Sequence, residues 1–70
     1  MEVIIGKKYR HFKGNIYIVE NIATHTETGE KMVIYRALYG NDEIWARPLD
    51  KFVEKVNKNN QEYRFELTEE

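Results

Sequence analysis

Seventy residues, 41% of them hydrophobic and 33% charged, with a formal charge of -1, read as one globular domain, too short for a second and too evenly charged for indiscriminate polyanion binding. The absence of cysteine excludes disulfides, thiolate metal sites and thiol nucleophiles together, and makes an oxidising compartment unnecessary. Met1 to Gly6 carries Glu2 and is too short for a signal peptide or anchor, and no apolar run approaches the ~20 residues of a spanning helix, so no membrane is expected and the expected location is cytoplasmic.

The first strand is expected over Lys7 to Lys13, where Tyr9 and His11 alternate with Arg10 and Phe12, and it closes on the turn Lys13-Gly14-Asn15. Ile16 to Thr24 follows as a second strand with Tyr17 and Val19 on one face and Ile16 and Ile18 on the other. Apolar residues on both faces leave two readings: a strand covered on two sides, or a bulge near Glu20-Asn21 that re-aims Ile22 and Ala23. His25 to Glu30 is a polar connector without helical periodicity.

Val33, Tyr35, Ala37 and Tyr39 alternate with Ile34, Arg36 and Leu38 in a third strand. Gly40 to Glu43 turns the chain, and Ile44 to Arg47 returns it with Trp45 and Arg47 on one face. Pro48 ends the strand and suits the first position of a helix; Leu49, Phe52, Val53 and Val56 then fall at helical spacings, so one short helix is expected over about 48–57. In the last strand Tyr63, Phe65 and Leu67 alternate with Arg64 and Glu66. The expected fold is therefore mainly β: a small five-stranded SH3-like barrel with one short helix before the last strand, an OB-type barrel being second choice because its helix usually lies earlier in the chain.

Enzyme chemistry starts from a poor inventory, since the chain has neither serine nor cysteine as nucleophile. The best metal argument takes His11, His25, Glu27 and Glu30 as a small metal-dependent hydrolase, at a spacing that matches no metal signature. Binding chemistry has more to offer. Tyr35, Tyr39, Trp45 and Arg47 share one face of the hairpin; Tyr35, between Val33 and Ala37, reads as core, whereas Tyr39 and Trp45 lie nearer the turn, where a barrel opens. Arg47 is costly to bury unpaired, so it must stack on a ring, pair with a carboxylate or face a ligand. Early Lys7, Lys8, Arg10 and Lys13 offset the late glutamates, or else form a basic first strand that touches phosphate.

The ordered run Tyr9-Arg10-His11-Phe12-Lys13-Gly14, then Tyr17, His25-Thr26-Glu27, Glu30, Val33 to Gly40 and Trp45-x-Arg47-Pro48-Leu49 with Phe52 resembles the bacterial domain of unknown function 1653 family from about Lys8 to Phe65. The resemblance implies an SH3-like outline and brings no activity or cofactor with it. Tyr63 stands where the family usually has proline, Ala46 replaces a commoner valine, and Gly29 loosens the loop between the two glutamates. Among its motif residues Arg10, His11, Lys13, His25, Glu27, Arg47 and Arg64 resist a simple core explanation; with Tyr39 and Trp45 they are the candidate ligand site. The expected function is a non-enzymatic module, without catalytic residues, metal or cofactor, that recognises a peptide or single-stranded nucleic acid. It is expected as a monomer or weak homodimer; a structural dimer with the aromatic face between subunits is a third reading.

Overall fold

Alternating strand patterns separated by residues that tolerate positive φ dictate a meander, and the computed structural model, which describes residues 1–70, has that form. Its elements are β1 (Lys8–His11), β2 (Ile16–Thr24), β3 (Lys31–Ala37), β4 (Ile44–Pro48), α1 (Leu49–Phe52), β5 (Lys55–Lys58), β6 (Gln61–Tyr63) and β7 (Phe65–Thr68). Five strands form an antiparallel sheet in the order β4-β3-β2-β1-β7, and β5 pairs with β6 as a separate hairpin. No helix is long and apolar enough to cross a membrane.

The mainly β class, the five-stranded sheet and the single short helix are as the sequence predicts, but the sheet is not closed into a barrel. Its edge strands β4 and β7 do not pair, and Phe52 from α1 packs between their neighbours instead. Of the two readings for β2, the bulge is the one observed: its pairing with β3 shifts register between Val19 and Asn21. The extra residue bends the strand and increases its twist.

Register assigns the faces. Tyr9 and His11, Tyr17 and Val19, Val33 and Tyr35, Trp45 and Arg47, and Phe65 lie on the inner face; Lys8, Arg10, Ile16, Ile18, Ile34, Arg36 and Ile44 lie on the outer. The core is one cluster of Tyr9, Val19, Val33, Tyr35, Phe52 and Phe65, with Val3, Tyr17, Leu49 and Val53 against it. The Phe52 and Phe65 rings stack at 4.0 Å between centroids, and Tyr9 and Tyr35 meet Phe52 edge-on at 5.7 and 5.4 Å. Tyr9 keeps its hydroxyl satisfied at the core margin, where it accepts from the Ile4 N–H at 2.9 Å.

The helix is much shorter than its sequence pattern. Leu49 and Phe52 occupy a single turn, and Val56 belongs to β5, not to a continued apolar stripe. The reason is local: Asn57, Asn59 and Asn60 all have positive φ, which an α-helix cannot absorb but an asparagine-rich hairpin turn can. Leu67 is 56% exposed although it alternates with buried Phe65. It lies on β7, the free edge of the sheet, beyond the reach of the Phe52 cover. Buried Gln61 ties the hairpin to the sheet, donating through Nε2 to the carbonyls of Arg10 (3.2 Å) and Tyr63 (3.1 Å).

Because the ring stack is the centre of a small core, Phe52→Ala or Phe65→Ala is expected to cost about 3–5 kcal/mol. Ile44→Ser, on an outer-face side chain 61% exposed, should stay within about 0.5 kcal/mol of the parent. Urea unfolding followed by far-UV circular dichroism measures both; equal losses at the two sites would place the stabilising apolar layer on the wrong face.

Candidate ligand-binding cleft

The inner face is covered at one end by Phe52 and left open at the other, where the ends of β1, β2, β3 and β4 bring aromatic and cationic side chains together. Val19 opposite Tyr35, Tyr17 opposite Ala37 and Tyr35 opposite Trp45 set the spacing across three strands. Tyr17, Tyr35, Trp45 and Arg47 line a cleft of about 200 Å³. That volume is below the usual range of small-molecule and cofactor sites, about 300–1,000 Å³, and fits one inserted side chain or ring.

Tyr17 is the pivot of this cleft. Its ring meets Tyr35 at 5.3 Å, Tyr39 at 5.6 Å and Phe65 at 5.7 Å, all edge-to-face, and its hydroxyl shares a 2.8 Å hydrogen bond with that of Tyr39. Burial, followed by the Tyr39 hydrogen bond, holds its phenol well above the ordinary tyrosine range, so it stays protonated. Trp45 and Tyr39 are each 44% exposed, enough ring area left to solvent to receive a partner. Tyr35 is buried, as its sequence neighbours predict.

Of the three alternatives set for Arg47 by the sequence, the structure shows the ring contact, and it adds a hydrogen bond to a tyrosine. The Arg47 Nε donates to the Tyr35 hydroxyl at 3.1 Å, and its guanidinium lies 5.5 Å from the centroid of the Phe65 ring. His11 completes the floor, stacked on Phe12 at 4.4 Å and edge-on to Phe65 at 4.9 Å. Burial lowers its pKa to about 4, helped by the nearby charges of Arg47, Arg64 and Lys13. Its Nδ1 accepts from the Lys13 backbone N–H at 3.1 Å, so the neutral ring carries its proton on Nε2. Arg64 is held by Glu54, 2.7 Å from its Nη2, while its buried Nε has no partner. Its backbone also bridges elements, with N–H to the Glu54 carbonyl and carbonyl from the Phe12 N–H.

The structure thus gathers His11, Lys13, Tyr39, Trp45, Arg47 and Arg64 at one end, and separates the other candidates from them. Arg10 lies on the opposite face, paired with Glu70 and bonded to Thr68. His25 and Glu27 lie beyond the far end of β2, roughly 30 Å along the chain if that strand ran straight. There His25 Nδ1 accepts from the N–H groups of Glu27 (3.1 Å) and Thr28 (3.3 Å), a loop-ordering role. The hydrolase reading fails on the same separation, since His11 is not with His25, Glu27 and Glu30, and no group of three or more His, Asp or Glu side chains is placed to hold a metal. Tyr17 and Phe12 are the site residues that sequence reasoning missed; the signal available was the parity of Tyr17 with Val19.

Fold and cleft define a small open-sheet β module with an aromatic site at the uncovered end of its inner face. The chain belongs to the family described as "Protein of unknown function (DUF1653)", which matches residues 7–67. It is similar to the crystal structure of a protein of that family from Bordetella bronchiseptica, at 31% identity and a TM-score of 0.76, over 89% of this chain and 83% of that one. No curated protein matches it.

The His11 environment gives a direct test. Its imidazole resonances should titrate with a midpoint near 4, against 6.5 for a free histidine. Arg47→Met should raise that midpoint without restoring 6.5, because burial is the larger cause. Between pH 6.5 and 4 the unfolded chain binds the proton and the folded chain does not, so stability from this group is complete above 6.5 and falls as pH drops towards 4. After discounting for solvent screening of a partly exposed ring, the loss is about 1 kcal/mol. A midpoint near 6.5 in the parent protein would show that the ring is not shielded.

Proposed function

We propose that the protein is a non-enzymatic binding module of the bacterial cytoplasm that receives an extended peptide in the cleft lined by Tyr17, Tyr35, Trp45 and Arg47. The observation that carries this reading is the half-open state of that cleft: its rear wall is core, yet Trp45 and Tyr39 keep 44% of their surface exposed. Rigid aromatic rings offer large contact area at low entropic cost, and an extended or proline-containing segment presents one side chain at a time to such a surface.

Charge placement favours a peptide over single-stranded nucleic acid. A backbone-tracking site needs several cations beside its stacking rings. Here Lys8 and Arg10 alternate with Tyr9 and His11 and so belong to the outer face, and Arg10 is engaged by Glu70. Of the early basic run, Lys8 and Arg10 thus lie off the aromatic cleft, and Lys13 alone stands beside His11 at its end.

An amide-shift titration with pools of proline-containing peptides, short single-stranded RNA and short single-stranded DNA at two salt concentrations tests the reading. Peptide pools are expected to move the Trp45 indole N–H and the amides of β3 and β4, with little dependence on salt. Trp45→Ala should abolish the response while unfolding cooperatively within about 1 kcal/mol of the parent. A response confined to the nucleic-acid pools, weakening steeply with salt, would replace the peptide by RNA or DNA; a Trp45→Ala protein that fails to fold would make Trp45 a core residue and remove the site.

A further inference from the structure

The chain has four arginines, and three of them hold a carboxylate: Arg10 with Glu70, Arg36 with Glu20 at 2.8 Å, and Arg64 with Glu54 at 2.7 Å. Arg47 has none. It is half-buried, it is held in place by the Tyr35 hydroxyl and the Phe65 ring, and it lines the cleft. Only its Nε is used within the chain, which leaves both terminal nitrogens of the guanidinium free. We infer that Arg47 is the seat for a carboxylate of the bound peptide, so that the module selects acidic segments; this rests on the peptide-binding reading of the same cleft.

Three features argue for a carboxylate. A partly desolvated guanidinium without a counter-ion is unfavourable, and a planar carboxylate matches its fork through two parallel hydrogen bonds. The ring contacts fix the guanidinium before any ligand arrives, so little side-chain freedom remains to be lost on binding. The count of charges around it then selects a monoanion. Arg64 is paired with Glu54, neutral His11 adds a donor at Nε2 but no charge, and Lys13 stands beside His11 outside the lining, so Arg47 is the one cation that lines the cleft. A phosphate, at roughly -1.5 to -2, would bring more negative charge than this wall offsets. The carboxylate has two peptide sources, an Asp or Glu side chain and a chain terminus, with the same recognition chemistry.

Four octapeptide pools with randomised flanks decide the matter: doubly capped with central Glu, doubly capped with central Gln, doubly capped with central phosphoserine, and central Gln with a free C-terminus. The readouts are the Trp45 indole N–H and the Arg47 Nε–H shifts. The Glu pool is expected to bind at least about tenfold more tightly than the capped Gln pool, the size of one lost charge-assisted pair. Arg47→Met should erase that preference, and Arg47→Lys, which keeps the charge but not the fork, should restore part of it. Should Arg47→Met not fold, Arg47→Lys and the Glu-to-Gln comparison on the parent protein carry the test. Binding of the uncapped Gln pool instead of the Glu pool keeps the carboxylate seat and assigns it to a chain terminus. Equal binding of the Glu and capped Gln pools overturns the carboxylate seat while leaving the peptide cleft intact, as does binding of the phosphoserine pool alone. No response at Trp45 to any pool removes both readings.

Discussion

The Phe65 ring is the contact on which both halves of this small molecule depend. One side of it stacks on Phe52 and closes the core; Tyr35 and Tyr17 pack against it edge-on; His11 and the Arg47 guanidinium rest on it from the open end. Core and cleft are thus two ends of one aromatic assembly. A ring held this tightly transmits position: because Phe65 is fully buried and stacked, the groups that lean on it are fixed by that contact together with one hydrogen bond each at His11, Tyr17 and Arg47. Arg47 adds only the Tyr35 hydroxyl, and Tyr35 is itself core.

Electrostatics are arranged around that assembly by face. On the outer surface, Arg36 with Glu20 and Arg10 with Glu70 are exposed pairs of the kind worth at most about 1 kcal/mol each. Below the sheet, Arg64 and Glu54 are different, because Arg64 also exchanges backbone bonds with Glu54 and Phe12 and so joins α1, the hairpin and the end of β1. The hydrogen bond from Arg64, with the charge of Lys51 next, holds Glu54 below the usual carboxylate range. Arg47 adds a smaller electrostatic pull on the same Glu54 carboxylate but makes no salt bridge with it.

Much of this was legible in the sequence where the pattern has one physical reading. Period-two alternation gave β1 to β4, Gly14-Asn15 gave the first turn, and the neighbours of Tyr35 gave its burial. Legibility ended where two structures satisfy one pattern. Leu49, Phe52, Val53 and Val56 fit a helix of two turns and equally a single turn followed by a strand, and the positive φ of Asn57 goes with the second. The unclosed sheet and the exposure of Leu67 were not legible because alternation fixes a face, whereas closure and cover depend on which distant element reaches that face. For the site, parity correctly put Trp45 and Arg47 together, but it carries no information on the ends of strands, which is why His25 and Glu27 were grouped with residues a strand's length away.

The open cleft follows from how the inner face is covered. A single helical turn, one short hairpin and Val3 lie over the five-stranded sheet, and Phe52 together with its flanking Leu49 and Val53 reaches only part of the inner face. The uncovered remainder must then be made of residues that tolerate half-exposure, and rings with polar edges do so better than aliphatic side chains. Tyr17, Tyr39 and Trp45 meet that requirement, with the two phenols satisfying each other at 2.8 Å. The stability requirement therefore accounts for the aromatic character of the cleft without any ligand. It accounts for Arg47 only in part. The Nε satisfies the hydroxyl of buried Tyr35 and the guanidinium covers Phe65, whereas the two terminal nitrogens, oriented by those contacts, bond to nothing in the chain and are what packing leaves without a partner.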